Sequence, residues 1–464
     1  MSRSSDIPLE PPLVSSTSIV RAKEDRSYLG YIAAAIASAL GGGFVFAMWV
    51  PLASTGTVSG GDRVPWMVQA HGWVMLQGWA GLFVAGMAIR LIPRFAGRRP
   101  IPRTVTVPLL ALLVFPIVLR IAFETWAAGG RAELVANLIG WSSAAGQLGV
   151  ASVLAYTLAK GRRPRDPWRY FAWAGTFWWA VWACLSLANI PGGGALAGLV
   201  PHQDNDILLW IVMLGPIGNF IWGVQSRSVP VFYGRGTPNL PKLILPGIAL
   251  NFGVAFLALS LLNDANGLRW SGLGFALSGS ALLWLPAVAG SVYGEARRLR
   301  PRARSAARFL IAANVAAMLA GALLLWAGFA VLVQDSSAPF AAFNQRDAAR
   351  HLFGIGTITM LILGMARLVA PFFALERTES GVPRFLEGLP FWFLLAAVVL
   401  RAGVPLLGDS LDYEAGRHII ATAGSLAWAA IAIFAFSVAR AIRAEPRTKV
   451  ALEHLAANAR KSPG

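Results

Sequence analysis

The sequence predicts an all-α membrane protein, a polytopic bundle of about twelve transmembrane helices, and two observations support that prediction. The chain is 56% hydrophobic and only 13% charged, whereas soluble domains carry roughly 25% charged residues. Its apolar residues occur in long runs, and a helix needs about 20 apolar residues to cross the hydrocarbon of a bilayer. We therefore expect a protein embedded in lipid and exclude a soluble globular enzyme.

Twelve segments of the chain are long and apolar enough to span a membrane. They lie near residues 28–54, 66–93, 105–127, 134–159, 168–190, 206–233, 240–262, 270–294, 305–333, 347–373, 386–407 and 416–443. The connections between them are too short to hold a soluble domain. We therefore divide the chain into a tail over 1–26, one membrane domain over 27–444 and a second tail over 445–464.

Basic residues collect in alternate loops, as the positive-inside bias requires. They follow spans 2, 4 and 8, at Arg94, Arg98, Arg99, Arg103, Lys160, Arg162, Arg163, Arg165, Arg297, Arg298, Arg300, Arg302 and Arg304. This bias predicts a bacterial inner membrane protein with both termini in the cytoplasm. We therefore attribute the net charge of +18 to these basic loops. The sequence shows no basic face with interleaved aromatic residues, so nucleic acid is not expected as a partner.

Four of the five histidines are predicted at one depth of the bundle. His71 and His351 fall in the first turns of spans 2 and 10, His418 begins span 12, and His202 lies in the loop before span 6. Two imidazoles from two helices at equal depth are suited to ligate one haem iron. We predict His71 and His351 as axial ligands and His418 and His202 as weaker candidates. The alternative is that each histidine only bonds a nearby carbonyl.

Glycines near the two histidines are consistent with a flat cofactor. Gly78 follows His71 by seven residues, so the two share one helix face, and Gly354 follows His351 within the next turn. Such positions thin a helix where a macrocycle would lie. Ordinary close packing of membrane helices through small residues is an equal alternative.

Two arginines within apolar spans are predicted at the depth of the histidines. A buried cation needs an anion, and guanidinium groups bind carboxylates such as the two haem propionates with bidentate geometry. We therefore predict Arg120 and Arg401 as propionate partners. Glu124, one turn from Arg120, is an alternative partner for that arginine. Gln225 and Arg227, late in span 6, are interpreted as residues that reach the membrane interface.

These motifs resemble the NnrS family. The resemblance rests on "QAHGWVMLQGWAGLFVAGMAIRLIPRFAGRRP" in span 2, "SRSVPVFYGRG" after span 6 and "RHLFGIGTITMLILGMARL" in span 10, and Arg120, Arg401 and Trp428 fall where family positions are expected. It implies twelve helices, bound haem b, copper as well, and a role in nitric oxide response or denitrification. It also implies a distant likeness to the catalytic subunit of haem–copper oxidases, which hold a low-spin haem between histidines of helices 2 and 10.

The sequence departs from both patterns in its histidines. Gln69, His71 and Gly72 stand where the family tends to have His-x-His-Glu, and "APFFALER" follows span 10 in place of Gly-His-Thr-Gly. The oxidases need a second histidine in helix 10 for a high-spin haem and three more in helices 6 and 7 for copper. Neither set is present, so we expect one haem, and copper has little support.

A haem with two histidine ligands and no open position favours electron transfer or sensing, with a quinone or an electron-transfer protein as a partner. Two alternatives remain open. A secondary transporter would use broken helices near the midplane, for which Gly215 and Pro216 are the best candidates. An oxidase or nitric oxide reductase subunit would need further metal ligands.

Overall fold

The computed structural model describes residues 26–124, 131–161, 167–189, 199–233, 238, 240–262, 267–290, 301–333, 342–373 and 384–459. Within these ranges the chain forms helices joined by turns, without a strand. The tail predicted over 1–26 lies outside the described residues except for Arg26. So do the side chain of Glu124 and most of the basic loops after spans 4 and 8.

Twelve helices are long and apolar enough to cross a membrane, which confirms the all-α bundle predicted from the sequence. We number them α1 to α12 in chain order. They are Ser27–Ser54, Val64–Phe95, Arg103–Ala122, Ala132–Ala159, Pro167–Ala188, His202–Val231, Pro241–Ser260, Gly267–Val288, Ala306–Val333, Phe343–Leu368, Glu387–Leu407 and Tyr413–Arg440. The last helix continues beyond its membrane-length part, from Tyr413 to Ala459.

Three of these helices form the centre of the bundle. The most apolar stretch is 89% buried in α2 and α6 and 72% buried in α10, whereas in the other nine helices it is 33–61% buried. Peripheral helices place large apolar side chains on the outside, among them Phe115, Trp141 and Trp326. Such an apolar exterior is what a bilayer requires of a spanning bundle, so the most apolar stretches of α2, α6 and α10 are the ones enclosed by protein.

Several helices, among them α2, α6 and α10, begin earlier than the sequence predicted. Pro65 lies in the first turn of α2, and Pro201 immediately precedes α6, since proline fits a helix start, where no amide hydrogen bond is lost. His202 therefore lies in the first turn of α6 and not in a loop. His71 and His351 consequently lie about two turns inside their helices.

All three central helices contain a π-helical stretch. These stretches are Val74–Gly81 in α2, Met213–Gly218 in α6 and Leu352–Thr359 in α10, and shorter ones occur in α1 and α3 at Ala39–Gly43 and Arg120–Glu124. A π-helical turn holds an extra residue and releases carbonyl groups from the regular ladder, and such turns are frequent at functional sites. The three central helices therefore have an irregular backbone at a similar depth in the bundle.

Candidate functional site

A cavity of about 310 Å³ lies where the π-helical stretches of the central helices meet. Helices α1, α2, α6, α10, α11 and α12 all contribute to its lining. The size falls within the range of roughly 300–1,000 Å³ that is usual for small-molecule and cofactor sites. Both His71 and His351 line this cavity, and His202 lines it as well, with its ring 5.8 Å from that of Phe343.

The two central imidazoles are fixed in the same way. His71 Nδ1 lies 2.8 Å from the carbonyl oxygen of Gly43, within the π-helical stretch of α1. His351 Nδ1 lies 2.8 Å from the carbonyl oxygen of Asp347. A carbonyl can only accept, so in both rings Nδ1 carries the proton and Nε2 is left with its lone pair. A hydrogen bond from the other ring nitrogen to a carbonyl is the usual way in which a metal-binding histidine is oriented.

Buried ion pairs line the same cavity. Arg401 of α11 donates two hydrogen bonds to the carboxylate of Asp347, at 2.8 and 3.2 Å. Arg346 lies 3.2 Å from Asp206 of α6, and Arg350 also donates to Asp206. The pairs join α10 to α6 and α11, and they supply the anions that buried guanidinium groups need. Arg401 therefore has a protein carboxylate, on a neighbouring helix, as its partner.

The cavity keeps an excess of positive charge after these pairs are formed. Arg350, Arg401 and Arg417 line it, Arg346 adjoins it through Asp206, and two aspartates oppose them. The guanidinium carbon of Arg417 lies 4.9 Å from the ring centroid of Tyr413, and Arg417 forms no salt bridge within the described part of the chain. Four arginines against two aspartates leave two positive charges, which favours an anionic ligand.

Only one of the two predicted glycines faces the cavity. A Cβ atom added at Gly354 would have Met213 Cε at 3.8 Å as its nearest neighbour, so this position opens onto space. Gly78 packs against α1, where a Cβ would lie 2.8 Å from that of Ser38, and it is not among the described cavity residues. Gly78 therefore contacts α1 and not the described cavity, and its predicted role beside a cofactor stays a prediction.

Two further predicted residues lie outside the cavity lining. Arg120 stacks on Trp73, with its guanidinium carbon 4.7 Å from the ring centroid. His418 is exposed, and its Nδ1 bonds the carbonyl of Glu414 at 2.8 Å. Neither Arg120 nor His418 is therefore among the described residues that line the cavity, and their predicted roles as propionate partner and as ligand stay predictions. The neighbour of His418, Arg417, faces the cavity in its place.

Sequence reasoning missed most of the ionic residues of the site. Asp206, Asp347, Arg350 and Arg417 were not singled out as site residues. One signal was available: "RDAARH" places Arg346 and Arg350 one turn apart, and Asp347 and His351 likewise, at the start of an apolar span. Ionisable residues there usually face an interior.

The fold and the site define a polytopic membrane protein with a charged, histidine-lined centre. The sequence profile of the NnrS protein family matches residues 31–446, nearly the whole chain. The chain therefore belongs to the NnrS family, and it is a membrane protein related to nitric oxide. No curated protein matches it.

Proposed function

We propose that the central cavity binds one haem b, with His71 and His351 as axial ligands. One observation carries the proposal: two imidazoles from two central helices line the same cavity, each with Nδ1 held by a carbonyl and Nε2 available to a metal. Neutral imidazole is a common ligand of haem iron. The open space beside Gly354 suits a flat ring.

The charge of the cavity supports the same ligand. Haem b carries two propionates, and three arginines and two aspartates line the cavity, with a fourth arginine, Arg346, paired to Asp206. Arg417 and Arg350 lie on the cavity and take the role that the sequence had assigned to Arg120, while Arg401 remains a candidate that Asp347 positions. Bidentate contact between guanidinium and carboxylate is the geometry expected there.

We infer a role in electron transfer or in sensing linked to nitric oxide. Bound haem would supply one-electron chemistry. The protein groups around it would position it: α2, α6 and α10 exclude water, and the ion pairs of Asp206 and Asp347 keep the arginines at fixed places. Two axial histidines leave no open position on the iron, which favours electron transfer over gas reduction.

The two alternative functions have less support from the geometry. Gly215 and Pro216 lie in a π-helical turn of a continuous α6, whereas a transporter of the expected kind has unwound helices at the midplane. Among the described residues, no group of three or more His, Cys, Asp or Glu side chains is arranged to hold a metal ion. Copper is therefore left out of the proposal.

Haem content of three alanine variants tests the proposal. We expect purified wild-type protein to show the absorption bands of haem b. His71→Ala and His351→Ala should each retain less than roughly a tenth of it, because even groups that only orient a metal ligand contribute 10–100-fold to affinity. His418→Ala is the matched control, since it removes an exposed imidazole of the same bundle.

Two outcomes would contradict the proposal. If the haem content fell in His418→Ala and not in the other two variants, the histidine that binds the iron would lie on α12. Wild-type protein without haem after expression with sufficient haem supply would remove the cofactor altogether. Carbon monoxide added to the reduced protein distinguishes a closed iron, whose spectrum stays unchanged, from an open one.

A further inference from the structure

A second cavity lies between the same three central helices, further along their course. It has a volume of about 390 Å³ and is lined by residues 83–95 of α2, 220–231 of α6 and 358–365 of α10. These residues all follow the histidines in chain order. The second cavity therefore occupies the opposite half of the bundle from the histidine-lined one.

The wall of this cavity is mostly apolar and includes three aromatic rings. Phe83, Phe95 and Phe220 line it, together with two flexible methionines, Met87 and Met365. Its rim includes Val231, which is 65% exposed on the outer surface of the bundle. A membrane-dissolved molecule with an apolar body can thus enter from the side, and aromatic rings favour a flat ring between them.

Polar groups are concentrated on one face of α6 at this cavity. Gln225 is 3% exposed, and its Nε2 donates to Asn314 at 3.3 Å, while its Oε1 has no hydrogen-bond partner within the described chain. Ser226 is satisfied by the carbonyl of Gly223 at 2.9 Å, whereas Ser228, one turn on from Gln225, is half-buried and lines the cavity. A buried acceptor without a partner is costly, so Gln225 Oε1, with the Ser228 hydroxyl one turn away, indicates a ligand with a polar head.

We propose that this cavity binds the headgroup of a membrane quinone or quinol. A quinone carbonyl accepts a hydrogen bond from the Ser228 hydroxyl, and a quinol hydroxyl donates to the Ser228 oxygen or the Gln225 amide oxygen. The flat ring lies among the three phenylalanines, and the isoprenoid tail leaves past Val231 into the bilayer. Gln225 is therefore a buried ligand-binding residue and not the interface residue that the sequence predicted.

The position of the second cavity favours a redox-active headgroup over another lipid alcohol. Ile358 lines both cavities, so the two spaces share part of their wall. Trp79 of the first cavity also lies 5.9 Å, between ring centroids, from Phe83 of the second. The choice of a redox-active headgroup rests on the haem proposed above, because a redox ring is useful there only beside another redox centre.

Saturable binding of tritiated decylubiquinone to the detergent-purified protein tests the inference. We expect Val224→Trp, which fills the cavity from α6, to lose saturable binding. Val118→Trp, on the exposed face of α3, should keep it. Ser228→Ala should weaken binding about fivefold, within the range of one hydrogen bond. Ser280→Ala, which removes an exposed hydroxyl bound to its own helix, should leave binding unchanged.

Competitors identify the class of ligand. Displacement of the probe by dodecane or phosphatidylglycerol as readily as by unlabelled decylubiquinone would make this a lipid site and overturn the inference. So would equal binding by Val224→Trp and wild type. Protein that contains haem but lacks saturable quinone binding refutes this inference alone, whereas protein that binds the probe without any haem refutes the proposed function alone.

Discussion

Single residues show how a membrane-embedded centre keeps its charges. Asp347 and Arg401 are each 17% exposed and bind each other in a bidentate manner. Asp206, 4% exposed, accepts from Arg350 and contacts Arg346 at 3.2 Å. A buried pair gives little net stability, but removing one partner leaves an uncompensated charge. Arg346, Arg350 and Arg401 are therefore held by these two aspartates.

Removal of Arg401 tests that dependence. We expect Arg401→Leu to destabilise the protein by about 3 kcal/mol, because Asp347 would remain buried without its cation. The double variant Asp347→Leu/Arg401→Leu should recover most of this loss, since both charges are then gone. The measurement is the melting temperature of detergent-purified protein for both variants and wild type.

Arg417→Leu is the matched control, because Arg417 lies on the same cavity but forms no salt bridge in the described chain. Its melting temperature should stay close to that of wild type. If Arg401→Leu were no less stable than Arg417→Leu, the ion pair with Asp347 would contribute nothing. A double variant less stable than Arg401→Leu would mean that Asp347 has another essential partner.

Site residues could be predicted from the sequence when the signal lay within their own helix, but not when it depended on a neighbouring helix. His71 and His351 were found because rare ionisable residues within apolar spans stand out, and both line the cavity. The partner of Arg401 could not be found this way, since Asp347 lies on another helix. His418 was preferred over Arg417 although the two are neighbours, because the direction of a side chain about its helix axis depends on packing.

At the scale of helices, the π-helical turns decide which side chains reach the site. The turn in α1 exposes the carbonyls of Gly43 and Leu40, which accept from His71 and from Trp428 Nε1 at 2.8 and 3.1 Å. The turn in α10 begins at Leu352, directly after His351. The positions of the helices could be predicted from the length of the apolar segments. The positions of the π-helical turns could not, because such a turn has no clear compositional signal.

Two glycines of α10 provide a matched test of the cavity. A side chain at Gly354 would enter open space, with Met213 Cε at 3.8 Å, whereas a Cβ at Gly356 would lie 2.7 Å from that of Ala316 in α9. We expect Gly354→Phe to lose most of the bound haem while keeping a melting temperature near that of wild type. Haem content and thermal unfolding of the purified variants are the measurements.

Gly356→Ala should show the opposite pattern. Overpacking a well-packed contact costs about 1–3 kcal/mol, so its melting temperature should fall while the folded fraction still binds haem. A Gly354→Phe protein that binds as much haem as wild type would show that the ligand lies elsewhere. That result would leave the helix packing at Gly356 unaffected.

At the scale of the whole molecule, the chain encloses its polar groups with a regular order of helices. Every fourth helix in chain order, α2, α6 and α10, is one of the three buried helices. The contact between α12 and α1 closes the outer layer. The number and class of helices were predictable because a bilayer demands long apolar segments. Which helices lie at the centre could not be predicted, because α2 and α6 are no more apolar than several peripheral helices.

The orientation of this bundle follows from its charge and can be measured directly. We expect the chain to lie in the cytoplasmic membrane with both termini inside, because its short basic loops should remain in the cytoplasm. In a Cys184→Ala background, a cysteine in place of the exposed Thr57, between α1 and α2, should react with an impermeant maleimide in intact cells. Cysteines in place of Arg99 and Lys160, exposed after α2 and α4, should react only after the membrane is disrupted. The reverse pattern would place the histidine-lined cavity near the cytoplasm, so that any soluble electron donor would have to approach from inside the cell.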